Sequence, residues 1–213
     1  MKTTEWGLIN YREATEKQLA LVEDVARDPS LETVVMCSHE PVVTFGRGSK
    51  PRDIFGWSGD LVETSRGGAV TYHGPSQLVM YPILNLVEAR PAFGARDLHG
   101  YLRTLEKTVV DLLTEFGISS EARVQTMDDG PSLTGVWVGD KKIASIGIAC
   151  RKWVTYHGVA LNVNYDPKAF TGINPCGMQS SVMISMEQVL DRPVDRTATM
   201  EVAKSLVGKL FSR

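Results

Sequence analysis

No uninterrupted apolar stretch of about 18 residues occurs in the 213-residue chain, and the longest apolar runs are strand-sized and broken by Gly, Pro or charge. A membrane-spanning helix is therefore not expected. Cysteine is scarce. Cys37, Cys150 and Cys176 are an odd number, which fits neither a disulfide framework nor a zinc knuckle and leaves at least one thiol free. Neither sign of charge is in excess: 23 basic stand against 25 acidic side chains, a formal charge of −2. No global field draws such a chain to nucleic acid or to an anionic membrane, and neither is expected as a partner. The first residues, Met1-Lys2-Thr3-Thr4-Glu5-Trp6, lead into a polar segment that reads as helical, not into an apolar core with a small-residue cleavage site. The expected location is the cytoplasm.

What is present is core material. With 43% hydrophobic and 23% charged residues, a chain of this length buries roughly 70% of its unfolded surface as one domain. No repeat, low-complexity tract or linker interrupts it, so residues 1–213 are expected to form a single domain.

Between Tyr11 and Arg27, Ala14, Leu21, Val22 and Val25 fall near helical spacing, and Asp28-Pro29 stops the run. Thr33–Cys37 and Val42–Phe45 are short β-branched runs separated by His39-Glu40-Pro41, which predicts a strand pair. Residues 46–65 carry glycine and proline without period and read as a long surface loop. Ala69–His73 and Gln77–Leu86, divided by Gly74-Pro75, predict a second strand pair. From Leu98 to Phe116 the i, i+3, i+4, i+7 rule is followed closely, with Gly117 where a C-cap belongs. Strands are predicted at Ala122–Thr126, Gly135–Val138, Lys142–Cys150 and Val154–Val163, and a last helix from Thr197 to Phe211. The class is α+β, a mostly antiparallel sheet flanked by helices.

Asn174-Pro175-Cys176-Gly177 puts a thiol on a turn outside any periodic segment. Pro175 biases Asn174 toward extended geometry, Gly177 allows close backbone approach, and the Gly177 amide is a candidate oxyanion donor. A free cysteine is equally a small buried hydrophobe, and these four residues leave both readings open. Cys37 and Cys150 lie inside strand-like runs and read as structural, so Cys176 is the nucleophile candidate. A catalytic thiol needs a nearby cation or base. In Lys141-Lys142-Ile143-Ala144-Ser145-Ile146-Gly147-Ile148 the two lysines face opposite ways along a strand. Lys142 then shares the apolar face of Ala144, Ile146 and Ile148 and sits at its edge, whereas Lys141 stays in water. The competing reading of Lys142 is a strand-end lysine with its amine in solvent.

Arg66-Gly67-Gly68-Ala69-Val70-Thr71-Tyr72-His73-Gly74-Pro75 reads as a pocket rim, because paired glycines entering a strand admit a ligand close to the backbone. A nucleotide cradle would need a Walker lysine-serine pair or a G-x-G-x-x-G opening a helix, and neither is present. His157-Gly158 repeats the His-Gly pairing on a later strand. Each histidine alone is as well explained by a structural role, and no third ligand completes a zinc site.

Together these segments resemble the octanoyltransferase family of lipoate biosynthesis. The resemblance rests on His39-Glu40-Pro41 with Thr44-Phe45-Gly46-Arg47, Arg66 through Pro75 with Gln77-Leu78-Val79 and Tyr81-Pro82-Ile83, and Lys142 through Gly147. It continues through His157-Gly158-Val159-Ala160-Leu161-Asn162 and Pro175-Cys176-Gly177. Ser76 stands where the family usually has Gly, and Ile184 precedes Ser185 where Thr is usual; both are expected to reshape the acyl pocket.

The resemblance implies a biotin/lipoate protein ligase-like fold with an acyl channel between the sheet and the glycine-rich loop. It implies a Cys/Lys dyad, with Cys176 carrying the acyl group as a thioester and Lys142 favouring the thiolate. It places Arg66, Gly67, Gly68, Ala69, Val70, Thr71, Tyr72 and His73, then Ser145, Ile146, Gly147, Gly158, Val159 and Ala160, around the substrate, with Tyr81 and His157 as further pocket candidates. The implied donor is octanoyl-acyl carrier protein. The implied acceptors are lipoyl domains of 2-oxoacid dehydrogenase complexes or the glycine cleavage H protein. No cofactor, ATP or metal is implied. Alternatives of other classes are an ATP-dependent lipoate–protein ligase and a non-catalytic acyl- or carrier-binding module. Arg47, Lys50, Arg52 and Arg66 are either a docking edge for acidic carrier domains or a solvated loop.

Overall fold

In the segment Val34-Val35-Met36-Cys37, Val34 and Met36 enter one hydrophobic core and Val35 and Cys37 another, the period-2 alternation of a strand covered on both faces. Leu78 and Met80 divide from Val79 and Tyr81 in the same way. The structure, a computed structural model, describes residues 1–124 and 133–212. Its strands are β1 Lys2–Ile9, β2 Thr33–His39, β3 Val42–Phe45, β4 Asp60–Glu63, β5 Val70–His73, β6 Gln77–Ile83, β7 Glu121–Arg123, β8 Gly135–Val138, β9 Lys141–Arg151 and β10 Val154–Asn162. Its helices are α1 Tyr11–Arg27, α2 Leu98–Glu115, α3 Met186–Leu190 and α4 Arg196–Leu210.

Seven strands form one sheet in the order β1-β2-β6-β10-β9-β8-β7, and three form a smaller sheet, β4-β3-β5. Pairing is antiparallel except for β1 with β2 and β3 with β4. The class is α+β. Helices α2 and α4 cover one face of the large sheet through Tyr101, Leu105, Val109, Leu112, Ala203 and Val207, and α1 covers part of the other through Ala14, Val22 and Val25. Each buried Leu or Val among these stabilises the layer by about 1.5–3 kcal/mol before entropy is counted. Among the described residues no helix is long and apolar enough to cross a membrane.

Local sequence explains the ends of the elements. The Asn10 side chain caps α1 by accepting the Arg12 N–H at 2.9 Å. Helix α2 starts on Asp97, which accepts the Gly100 N–H at 2.8 Å. It stops in a Schellman motif in which Gly117, at φ +75°, donates to Thr114 and Ile118 donates to Leu113. Lys152 and Trp153, both at positive φ, turn β9 tightly into β10.

Several expectations need correction. Residues 33–45 and 69–86 do not form two hairpins: β2 and β6 pair with each other in the large sheet, whereas β3 and β5 pair in the small one. The short turns between them carry the chain from one sheet to the other. Residues 46–65 hold strand β4, hidden in the sequence by its exposed Asp60, Leu61 and Glu63. The N-terminal residues form β1, a mostly solvent-facing edge strand whose Lys, Thr and Glu give no apolar pattern. Of the strand predicted at Ala122–Thr126, residues 125 and 126 lie outside the described residues.

Candidate active site

The small sheet lies over the large one, and the cleft between them is lined by Arg66, Gly68, Ala69, Thr71 and His73 on one side. Val79, Tyr81, Ser145 to Gly147, and His157 to Ala160 line the other, together with Tyr11 and Cys176. About 440 Å³ of space between atoms lies along the cleft, open solvent at its mouth included.

Arg66 organises the glycine-rich loop. Its guanidinium donates to the Ala69 carbonyl at 2.8 Å, to the Thr44 carbonyl at 3.0 Å and to Thr44 Oγ1 at 2.7 Å. The next residue, Gly67, donates its N–H to the Ile148 carbonyl on β9 at 3.1 Å. Both ties hold the loop against the sheets. Gly158 keeps the cleft floor thin, since a Cβ there would collide with the Met80 carbonyl and approach Pro82 Cδ to 3.0 Å.

The inner wall is built of rings. Tyr11, the first residue of α1, stacks on His73 with centroids 5.4 Å apart and meets His39 edge-on at 5.0 Å. His39 donates from Nδ1 to the Ile9 carbonyl at 2.9 Å, so Nε2 accepts from the Tyr81 hydroxyl at 2.7 Å. Burial lowers His39 to about 4 against the pull of its Ile9 bond. Burial and then the Arg66 charge lower His157 to about 3. His73 lies well below its usual value, through burial first and then through the charges of His39 and Arg66. All three are neutral at pH 7. His157 adopts φ +57°, and its N–H leaves the sheet ladder to donate to Gln18 Oε1 at 2.8 Å. Four buried polar atoms of cleft residues, Arg66 Nε, Thr71 Oγ1, Ser145 Oγ and His157 Nδ1, have no hydrogen-bond partner among the described residues and are open to a polar ligand group.

Cys176 sits in a single 3-10 turn, Pro175–Gly177, with φ +56° and ψ +23°. A β-carbon residue in this left-handed region is strained, and strain of this kind gathers at functional sites. The turn is pinned by Asn174, whose N–H donates to the Asp53 carbonyl at 2.8 Å. Lys142 Nζ donates to Cys176 Sγ at 3.3 Å. Lys142 is fully buried and Cys176 is 7% exposed. The ammonium also lies 5.6 Å from the centre of the Trp137 ring. Lys142 reaches this position because the β8–β9 register skips Ile143, pairing Trp137 with Lys142 but Val136 with Ala144. Such a bulge re-aims a side chain.

The structure thus brings together Cys176, Lys142 and most of the pocket residues read from the sequence, with five corrections. Lys142 is enclosed, not at the edge of the apolar face, and the alternation expected from it through Ala144 is broken by the bulge. Val70 and Tyr72 do not line the cleft, because on β5 they alternate away from Thr71 and His73 and pack with Val43, Phe170 and Ile173. The Gly177 N–H is engaged by the Asn174 carbonyl at 3.1 Å and is not free for an oxyanion. Arg66 is buried and belongs to no docking edge. Ser76 and Ile184 do not line the cleft; the Ser76 carbonyl accepts the Val163 and Asn164 N–H groups, and Ile184 N donates to the Lys142 carbonyl. Sequence reasoning missed Tyr11 and gave His39 no role, since their partners are remote in the chain. Among the described residues no three His, Cys, Asp or Glu side chains converge on a metal site.

Residues 10–208 match the family described as the lipoyl protein ligase A/B catalytic domain. An octanoyltransferase of Bdellovibrio bacteriovorus is 47% identical over 196 residues, covering 90% of each chain. Among solved structures, lipoate-protein ligase A bound with ATP superposes with a TM-score of 0.71 at 15% identity, over 99% of this chain and 85% of that one. The biotin protein ligase of Aquifex aeolicus gives 0.53 at 11% identity, over 98% and 68%. At such identities the two ligases speak for the fold alone. The extent of the first two matches decides the family: this chain belongs to the lipoyl protein ligase A/B catalytic family and, within it, to the octanoyltransferases, which are acyltransferases.

Proposed function

We propose that the protein transfers an octanoyl group from octanoyl-acyl carrier protein to a lysine of a lipoyl domain through a thioester on Cys176. The carrying observation is the 3.3 Å contact between Lys142 Nζ and Cys176 Sγ at the cleft. The Cys176 thiolate attacks the thioester carbonyl and forms a new S–C bond. The bond to the pantetheine sulfur breaks, and that sulfur takes a proton from the Lys142 ammonium. The neutral amine of the acceptor lysine then attacks the acyl-enzyme. Collapse expels the Cys176 thiolate, and the proton lost from the attacking nitrogen returns to Lys142, leaving an amide. A thioester is already activated relative to the amide product, so this sequence uses no ATP. Ala69, Val79, Ile146, Val159 and Ala160 give the acyl chain an apolar wall. The unpartnered Thr71 and Ser145 hydroxyls are the donors available to the acyl carbonyl. Acceptors of this chemistry are lipoyl domains of 2-oxoacid dehydrogenase complexes and the glycine cleavage H protein.

The test is to incubate the protein with octanoyl-acyl carrier protein without nucleotide and weigh it. The expected product is one octanoyl adduct that hydroxylamine removes and that Cys176→Ala does not form. Acyl transfer that requires ATP and survives Cys176→Ala would instead identify a ligase.

A further inference from the structure

We propose that the loop between β3 and β4 is the docking surface for the acidic face of the acyl-donating carrier protein, an inference that rests on the acyl transfer proposed above. Arg47, Lys50 and Arg52 are exposed on this loop and, among the described residues, none pairs with a carboxylate. Some exposed cations elsewhere are matched, as Arg12 is by Asp60, Lys17 by Glu13 and Lys107 by Asp111. Lys2, Lys168, Arg192 and Lys209 carry no ion pair among the described residues but are scattered along the chain, whereas Arg47, Lys50 and Arg52 fall within six residues. The loop's own carboxylate, Asp53, is buried and turned inward to accept the Lys50 N–H at 3.0 Å. The outward face is therefore uniformly positive.

This surface is fastened to the site. Arg47 N donates to the Arg66 carbonyl and Gly48 N to the Gly68 carbonyl, which ties the loop to the glycine-rich rim of the cleft. Further along, Phe55 and Gly56 both donate to the Gly172 carbonyl at 3.0 Å, on the segment that leads to Cys176. Phe55 itself is 69% exposed. An apolar ring held outward by backbone hydrogen bonds among unpaired cations has the composition of a protein interface, where rings anchor and charges steer. Charge selects the donor over the acceptor. The acceptor brings a lysine side chain to the mouth, for which cations offer no attraction, whereas the donor's pantetheine arm carries an anionic phosphodiester.

The experiment uses Arg47→Glu and Arg52→Glu, singly and together, with octanoyl-carrier protein, octanoyl-N-acetylcysteamine thioester and a lipoyl domain. In the double variant, KM for octanoyl-carrier protein is expected to rise about tenfold or more and to lose its salt dependence. The acylation rate from the small thioester and KM for the lipoyl domain are expected to stay unchanged. An unchanged KM for the carrier, or a rise confined to the lipoyl domain, overturns the proposal. Direct binding of holo-carrier protein to the wild type and the variants is measured alongside, and equal affinity also overturns it. That measurement decides docking even if the wild type takes no octanoyl group from the small thioester, a failure that would count against the role of Cys176 instead.

Discussion

Gly135 leaves open the space through which Lys142 reaches Cys176. At φ +148°, Gly135 lies where an added Cβ would come within 2.7 Å of Lys142 Cε and would collide with the Ala144 carbonyl. Gly135→Ala is therefore expected to displace the amine, and a misplacement of about 1 Å lowers kcat by about 100-fold. Steady-state kinetics with the small thioester check this, with KM expected to change little and circular dichroism to report a folded chain.

Lys142→Met keeps the volume of a buried side chain while removing its charge. The rate of octanoyl adduct formation is expected to fall by about 10²–10⁴, read by rapid quench and mass spectrometry. Retention of the wild-type rate would remove Lys142 from the mechanism.

Arg66→Met leaves the Thr44 and Ala69 carbonyls without their donors. Buried acceptors abandoned in this way cost about 1–3 kcal/mol each. The urea midpoint is expected to drop accordingly, together with kcat/KM.

The neutral histidines make stability depend on pH. In the unfolded chain a histidine titrates near 6.5, whereas in the fold His39 and His157 are held at about 4 and about 3. Between these limits the unfolded state binds the extra proton. The contribution is complete above about pH 6.5 and is lost as pH falls toward the folded values, by about 1.4 kcal/mol per unit per histidine. Urea midpoints of the wild type should fall from pH 6.5 to 4 more steeply than those of His39→Gln.

Of the structural thiols, Cys37 is shielded twice, since it is buried and its thiol is pushed up to about 12 by that burial. A disulfide reagent at pH 7.5 is expected to leave Cys37 unmodified in the folded protein and to label it only in denaturant, as peptide mapping would show.

What the sequence reveals follows the range of the interactions. Helix α2 and its Gly117 stop are legible because every determinant lies within a few residues. Cys176 is legible as a turn thiol from its Pro and Gly neighbours, and Lys142 as the inward lysine from strand alternation. The bulge at Ile143 that buries Lys142 depends on β8 and leaves no mark in the local pattern. Tyr11 and His39 become site residues only through His73 and Tyr81, which periodicity does not connect to them. Strand β1 is hidden for a related reason, because an edge strand facing water needs few apolar residues. The glycine-rich segment suggests a rim, yet the side Val70 and Tyr72 occupy is set by the small sheet, whose existence no hairpin signal discloses.

The direct pairing of β2 with β6, Cys37 opposite Val79, makes the stretch from Val42 to His73 a detour. The β2–β6 ladder closes directly beneath it, with no strand of the detour inserted between them. Within that excursion lie the roof of the cleft and the positive loop with its outward phenylalanine. Changes confined to this contiguous graft can therefore reshape the roof of the cleft, while the floor bearing Lys142 keeps its alignment.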